Sequence, residues 1–307
     1  MNIGVMGAGA VGCYYGAALA RAGHEVTLAG RQKFVDAVQT EGLVLESGGS
    51  ITRVRVRATT DPTTLSRSDL ILFCVKAADT EAAGRQLVAH VGADCPVLSL
   101  QNGVDNAERL AAVLDRAVVP VAVYVAVDMA GPAHVRHWGR GDLVMGRFAG
   151  CEAVVQTFEA AGIEVTVSDQ VLPALWQKLI TNCAYNALSA ITQLPYGRLI
   201  QVPDVPQVMA DVARECVAVG RGLGIALPEV DMEPILQIAT SMAHQYSSTA
   251  QDLVRHKPTE INYLNGYIVR QGVLLGIPTP ANRVLLTLVH ALEQGPGPAA
   301  PIQSGGL

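Results

Sequence analysis

The chain has 307 residues, half of them apolar and 16% charged, with a formal net charge of −5. That length accommodates two domains with their own cores, and that composition excludes a disordered protein. The acidic balance, at a sequence pI of about 5.8, excludes a general attraction to nucleic acid or to an anionic membrane surface.

The first element is the apolar run Ile3-Gly4-Val5-Met6, read as a strand over Asn2–Met6. It leads into Gly7-Ala8-Gly9-Ala10-Val11-Gly12, and a helical stretch, Val11–Ala22, follows. Strand, tight turn and helix start in that order can hold a pyrophosphate. The first glycine permits the turn, the second lets backbone approach phosphate, and the third lets helix pack on strand. The free N–H groups and the dipole of the helix start then favour the anion.

A second strand, Glu25–Ala29, ends in Gly30-Arg31. A site for NAD usually has an acidic residue there, about 20 residues beyond the glycines, to bond the ribose 2′-hydroxyl. Here Gly30 leaves room and Arg31 offers a planar cationic fork suited to a 2′-phosphate. The expected cofactor is therefore NADP(H), bound by Gly7, Ala8, Gly9, Ala10, Val11, Gly12 and Arg31. Lys33 reads as an exposed loop lysine.

Strands are expected over Leu43–Leu45, Thr52–Ala58, Leu70–Val75, Val97–Leu100 and Val118–Val127, with helices over Thr80–Val91 and Asn106–Leu114. Short apolar strands alternating with helices imply a parallel sheet covered on both faces. Arg53, Arg55 and Arg57 alternate with Val54 and Val56, the pattern of a strand's wet face. Lys76 and Asn102 each follow an apolar strand directly. Ligands of doubly wound sheets lie at the strands' carboxyl ends, so both residues are expected to face the cofactor. A β-rich stretch (Val135–Gly146), a helix (Glu152–Ala161) and a strand (Glu164–Val167) complete this half.

After Asp169 helical periodicity takes over, at Pro173–Thr192, Val205–Gly222, Met232–Ala243, Glu260–Leu275 and Ala281–Gln294. The expected fold class is α/β, a Rossmann-type doubly wound sheet followed by an all-helical C-terminal domain. The expected domains are an NADP-binding domain over 1–169 and a helical substrate and catalytic domain over 170–294, with a disordered tail over 295–307.

Lys178, Asn182 and Asn186 recur at every fourth position of an otherwise apolar helix, which puts them within about 80° of one another. Such a stripe is either a wet face or the lining of a cavity, and the apolar surroundings favour the cavity. Glu260 opens the helix expected after Pro258-Thr259, where it could answer the helix dipole or face a ligand. Ser247 and Ser248 form a polar patch able to cap a helix or bind an anion.

The six cysteines are scattered without a C-x-x-C pair and read as buried small residues in a reducing compartment. His134 and His137 have no third ligand nearby, so no metal site is expected. No targeting segment or membrane span is evident, and the expected location is the cytoplasm. The apolar helical half could also carry a homodimer interface, which periodicity does not separate from core.

Six motifs together resemble the ketopantoate reductase (2-dehydropantoate 2-reductase) family. They are G-A-G-A-V-G at 7–12, V-K-A at 75–77, Q-N-G at 101–103, L-W-Q-K-L-x-x-N-x-x-x-N at 175–186, S-S-x-x-Q-D at 247–252 and T-E-I-N-Y-L-N-G at 259–266. The resemblance implies NADPH-dependent reduction of a 2-oxo acid, foremost 2-dehydropantoate to pantoate in pantothenate biosynthesis. It implies that Lys178 is the catalytic lysine and that Glu260 holds the substrate hydroxyl. It further implies that Asn102, Asn182, Asn186 and Ser248 position the 2-oxo acid or the lysine, while Arg31, Lys76 and Asn102 contact the cofactor. Tyr196 stands where the family commonly has Asn before a glycine, which leaves the identity of the 2-oxo acid open. The alternatives are a reductase of another branched 2-oxo or 3-hydroxy acid and a non-catalytic NADP-binding regulator.

Overall fold

The computed structural model describes residues 1–295, so the tail expected over 295–307 lies, past Gly295, outside the described residues. The chain divides into two compact units, Met1–Leu175 and the part from Trp176 onward.

The first unit contains ten strands: β1 (Asn2–Met6), β2 (Glu25–Ala29), β3 (Leu43–Ser47), β4 (Ser50–Val54), β5 (Arg57–Thr59), β6 (Leu70–Phe73), β7 (Val97–Ser99), β8 (Val119–Gly131), β9 (His134–Gly146) and β10 (Val165–Ser168). Its helices are α1 (Ala10–Arg21), α2 (Gln32–Glu41), α3 (Thr80–Arg85), α4 (Asn106–Leu114), α5 (Cys151–Ala160) and the start of α6 (Val171–Thr192). The strands form one sheet in the order β4-β3-β9-β8-β7-β6-β1-β2-β5, with β10 also paired to β9. The segment from β8 to β5 is parallel throughout.

Alternation along the central strands sends side chains into two cores. Ile3, Val5, Leu28, Leu70, Leu72 and Leu98 pack with Cys13, Tyr15, Ala17 and Leu19 of α1. Met6, Ala29, Ile71, Phe73 and Val97 pack with Ala83, Leu110 and Leu114 of α3 and α4. Both faces of the parallel segment are therefore covered, as a doubly wound sheet requires.

The sheet is mixed rather than wholly parallel, because β8 and β9 form a long antiparallel hairpin and β3 pairs antiparallel with β4. The single strand expected over Thr52–Ala58 is two strands on opposite edges of the sheet. Gly48 and Gly49, with φ of 56° and 77°, fold β4 back onto β3, the two-residue left-handed turn that hairpins favour. The chain then crosses to pair β5 with β2. Two helical expectations also change. The helix expected over Thr80–Val91 is α-helical only to Arg85, and α2 has no counterpart among the predicted elements.

In the second unit α6 continues, followed by α7 (Tyr196–Leu199), α8 (Val205–Gly222), α9 (Met232–Ser241), α10 (Ser248–Val254), α11 (Asn265–Leu275) and α12 (Pro280–Glu293). Helices α8, α11 and α12 pack on one another. Trp176, Leu179, Cys183, Ala184, Tyr185 and Ala187 of α6 are buried. The helix expected over Glu260–Leu275 is interrupted. A 3-10 turn at Ile261–Tyr263 ends at Leu264, whose φ of −111° and ψ of −106° lie outside the helical region, and α11 starts at Asn265. Among the described residues no helix is long and apolar enough to cross a membrane.

Candidate active site

In the first unit, pairing register brings the predicted cofactor residues to one edge. Ala29, Met6, Phe73 and Ser99 are successive partners across β2, β1, β6 and β7. Four chain segments therefore leave the sheet at one level. They carry the glycine turn, Gly30-Arg31, Lys76 and Asn102, all at the carboxyl end of the parallel segment, where doubly wound folds bind ligands.

The glycine turn is tight for identifiable reasons. Gly7 and Ala8 both donate their N–H groups to Ala29 O at 3.1 Å. Gly7 has φ of 107°, and a Cβ there would fall 2.7 Å from Val75 N. A Cβ on Gly12 would lie 2.2 Å from Gly7 O, so α1 can approach the turn only without a side chain. Gly9 differs: a Cβ there would meet no protein atom within 4 Å. Internal packing explains Gly7 and Gly12 but not Gly9, whose bareness suits a group that comes up against the backbone. Gly9 is the N-cap of α1 and supplies no side-chain acceptor, so the first-turn N–H groups of Ala10, Val11 and Gly12 suit an anion.

At the end of β2, Gly30 has a different role from the one expected. Rather than leaving room, it is closely packed, and a Cβ would fall 2.8 Å from both Ala8 Cβ and Phe34 Cδ1. Arg31 is the exposed N-cap of α2. Its guanidinium makes no hydrogen bond or ion pair among the described residues, and α2 has no acidic residue in its first turn. Lys76 and Asn102 are half-buried. Beneath them lies a set of buried polar side chains, Thr80, Ser99, Gln101 and Asn106, of which only Gln101 belongs to one of the six motifs, Q-N-G. No periodicity signals such a network, because its members come from one strand end and two helix starts.

In the second unit, Lys178, Asn182 and Asn186 lie along one side of the unbroken α6, the first two half-buried and Asn186 4% exposed. Neither asparagine side chain makes a hydrogen bond among the described residues. The helix is fixed from two sides. Asn265 Nδ2 donates to Cys183 O at 3.1 Å and to Asn282 Oδ1 at 3.0 Å. Ser247 Oγ donates to Asn186 O at 3.0 Å and accepts from Ala250 N at 3.0 Å, which caps α10. Ser247 is thus the buried capping residue of its pair, while Ser248 is exposed at the first position of α10.

Glu260 is half-buried at the start of the 3-10 turn. Because α11 begins five residues later, at Asn265, the carboxylate is outside the first turn of that helix and the dipole does not account for it. Tyr196 packs its ring 4.6 Å from that of Tyr185, and burial pushes its hydroxyl above the ordinary phenol range.

The two histidines weighed as metal ligands have other partners: His134 pairs with Glu46 at 3.0 Å, and His137 bonds Ser47 Oγ at 2.9 Å. Among the described residues no group of three or more potential ligands is placed to hold a metal. All six cysteines are free thiols, and burial raises Cys13 to about 12.

Known proteins agree with this architecture. Two family models match, Ketopantoate reductase PanE/ApbA over residues 3–150 and Ketopantoate reductase PanE/ApbA C terminal over residues 170–293. A 2-dehydropantoate 2-reductase of Vibrio cholerae is 33% identical over 300 residues, covering 96% of this chain and 98% of that protein. The crystal structure of a PanE/ApbA family ketopantoate reductase from Ralstonia eutropha is 52% identical with a TM-score of 0.91, covering 96% of this chain and 99% of that one. A D-mandelate dehydrogenase solved with NADH and anilino(oxo)acetate is 25% identical with a TM-score of 0.88, covering 96% of this chain and 98% of that one. With both halves matched and near-complete relatives above 30% identity, the chain belongs to the ketopantoate reductase family of oxidoreductases.

Proposed function

We propose that this chain reduces 2-dehydropantoate (ketopantoate) to pantoate with NADPH, the reductive step of pantothenate biosynthesis. The observation that carries the cofactor choice is the end of β2: no carboxylate stands at Gly30 or Arg31, and the exposed Arg31 guanidinium has no partner among the described residues. A 2′-phosphate pairs with such a group and is repelled by an acidic one. The glycine turn and the start of α1 would hold the pyrophosphate, and Lys76 and Asn102 would contact the remainder of the cofactor.

NADPH, when bound, supplies the hydride that C2 of the 2-oxo acid receives. The residues of the helical unit manage the charge that develops. The Lys178 ammonium stabilises the carbonyl oxygen as it becomes negative and then gives it a proton. One such charge-assisted bond at a developing oxyanion is worth about 3–4 kcal/mol. Glu260 holds the substrate hydroxyl. Asn182, Asn186 and Ser248 orient the 2-oxo acid, and the Asn186 amide, on a largely buried residue and without a side-chain hydrogen bond among the described residues, has the capacity for this. The six free thiols support a reducing, cytoplasmic setting.

The test is oxidation of NADPH and of NADH by the purified protein, with 2-dehydropantoate run beside pyruvate and 2-oxoisovalerate. Highest kcat/KM for 2-dehydropantoate with NADPH is expected. A clear preference for another acid would assign the substrate elsewhere. Cofactor binding without turnover of any acid would identify a regulator.

A further inference from the structure

Lys76 sits in a bend whose flanking carbonyls are both held by side chains from elsewhere in the first unit. Before it, Val75 O accepts from Gln101 Nε2 at 3.1 Å. After it, Ala77 O accepts from Thr80 Oγ1 at 3.0 Å and from Arg109 Nη2 at 2.9 Å. These side chains are joined to one another. Gln101 Nε2 also donates to Thr80 Oγ1 at 2.7 Å, and Ser99 Oγ donates to Gln101 Oε1 at 2.9 Å. The same set reaches the neighbouring turn, where Asn106 Nδ2 donates to Asn102 O and Asn106 Oδ1 accepts from Arg109 Nη1 at 3.2 Å.

Gln101 is 5% exposed, Ser99 4%, Asn106 3% and Thr80 0%. Four enclosed polar side chains cost more to desolvate than apolar ones of the same shape, a cost that is offset only where their hydrogen bonds are made. Here the bonds are made, and they converge on the backbone of two loops rather than on the sheet. Gln101 is the central member. Both its amide hydrogens are used, and one of them goes to a carbonyl that can only accept, so its orientation is determined.

We propose that Gln101, with Thr80, is a positioning residue for the cofactor: it braces the Lys76 bend against the strand end carrying Asn102, so that both residues meet the ligand already ordered. This rests on the NADPH reading above. A residue held in its bound geometry loses less freedom on binding.

The experiment is NADPH affinity by fluorescence titration or calorimetry, which needs no turnover. Gln101→Leu and Thr80→Val, which remove the bonds at similar volume, are each expected to weaken binding about tenfold, whereas Thr80→Ser, which keeps the hydroxyl, stays within about twofold. The Gln101→Leu penalty is expected to shrink below about threefold in a Lys76→Ala background and to persist in an Arg31→Ala background, because Arg31 leaves from another strand. Equal penalties in both backgrounds, or wild-type affinity in the variants, would overturn the brace while leaving the cofactor reading intact. A wild-type chain without NADPH affinity would overturn the cofactor reading and the brace together. Should Gln101→Leu fail to fold, the Thr80→Val and Thr80→Ser pair decides: equal affinity in the two removes the brace.

Discussion

Replacing Arg31 by Ala isolates the choice between the two nicotinamide dinucleotides. The guanidinium is exposed and makes no hydrogen bond or ion pair among the described residues, so its removal breaks no such bond there and the Tm is expected to be unchanged. On the NADPH reading, what is lost is a charged contact to a phosphate that only one cofactor has. A hydrogen bond to a charged group contributes about 1.5–3 kcal/mol, and exposure at the mouth of α2 places this one near the lower end. About 1.5–2 kcal/mol corresponds to a 10–30-fold loss of NADPH affinity, with NADH affinity nearly unaltered. The uncapped N-terminus of α2 remains to attract the phosphate, so some preference for NADPH should survive. The assay is a titration of both cofactors against wild type and Arg31→Ala at two ionic strengths, where the wild-type advantage should shrink at the higher one. Equal weakening of NADPH and NADH, or an unchanged ratio, would refute the 2′-phosphate argument.

Lys178→Ala should lower kcat at least about 10²-fold with little effect on NADPH affinity, because the ammonium acts on charge that appears only in the transition state; a near-normal kcat would remove Lys178 from the chemistry. Two alanine substitutions in the glycine turn should separate cleanly. Gly12→Ala drives a methyl into Gly7 O and should lower Tm, whereas Gly9→Ala meets no protein atom and should keep Tm while weakening NADPH at least about tenfold. Hydrogen bonds from Arg109 hold the Glu81 carboxyl below its ordinary range. A depressed carboxylate stabilises the fold above its unfolded value of about 4.3 and loses that contribution as pH falls through the folded value. Arg109→Gln should therefore flatten the fall of Tm between about pH 5 and 3, as differential scanning fluorimetry can show; an unaltered acid limb would mean the pair adds nothing.

The parts of this molecule that follow a short period were legible from sequence. The strand, glycine turn and helix at residues 2–22, the α6 stripe and the long helices of the second unit all stand on local repetition that burial enforces. Parts that depend on a distant partner were not. One run of alternating arginines and valines became β4 and β5 because a Gly-Gly turn sent the first half to β3 while β2 recruited the second. Helix α2 carries little sequence signal, because Arg31 gives it no capping oxygen and its buried side chains are only Phe34, Val35 and Val38. Glu260 was placed in a helix that Leu264 in fact interrupts. At the candidate site the residues expected to touch ligands stand on local motifs, whereas the polar set beneath Lys76 carries no such signal. Thr80, Ser99, Gln101 and Asn106 look ordinary one by one and become related only when β6 and β7 end side by side.

The crowding around Gly30 has a bearing on how cofactor preference can change in this chain. The obvious redesign toward NADH installs an aspartate at the tip of β2, yet any side chain grafted there collides with Ala8 on one flank and Phe34 on the other. Ala8 belongs to the phosphate turn and Phe34 to the core beneath α2, so the new carboxylate would disturb the pyrophosphate cradle before it could reach a ribose. Selection or engineering has an easier path one residue on, at Arg31, or must trim Phe34 first. On the NADPH reading, the preference would be guarded twice, by the charge of Arg31 that invites one cofactor and by a wall around Gly30 that bars the usual conversion to the other.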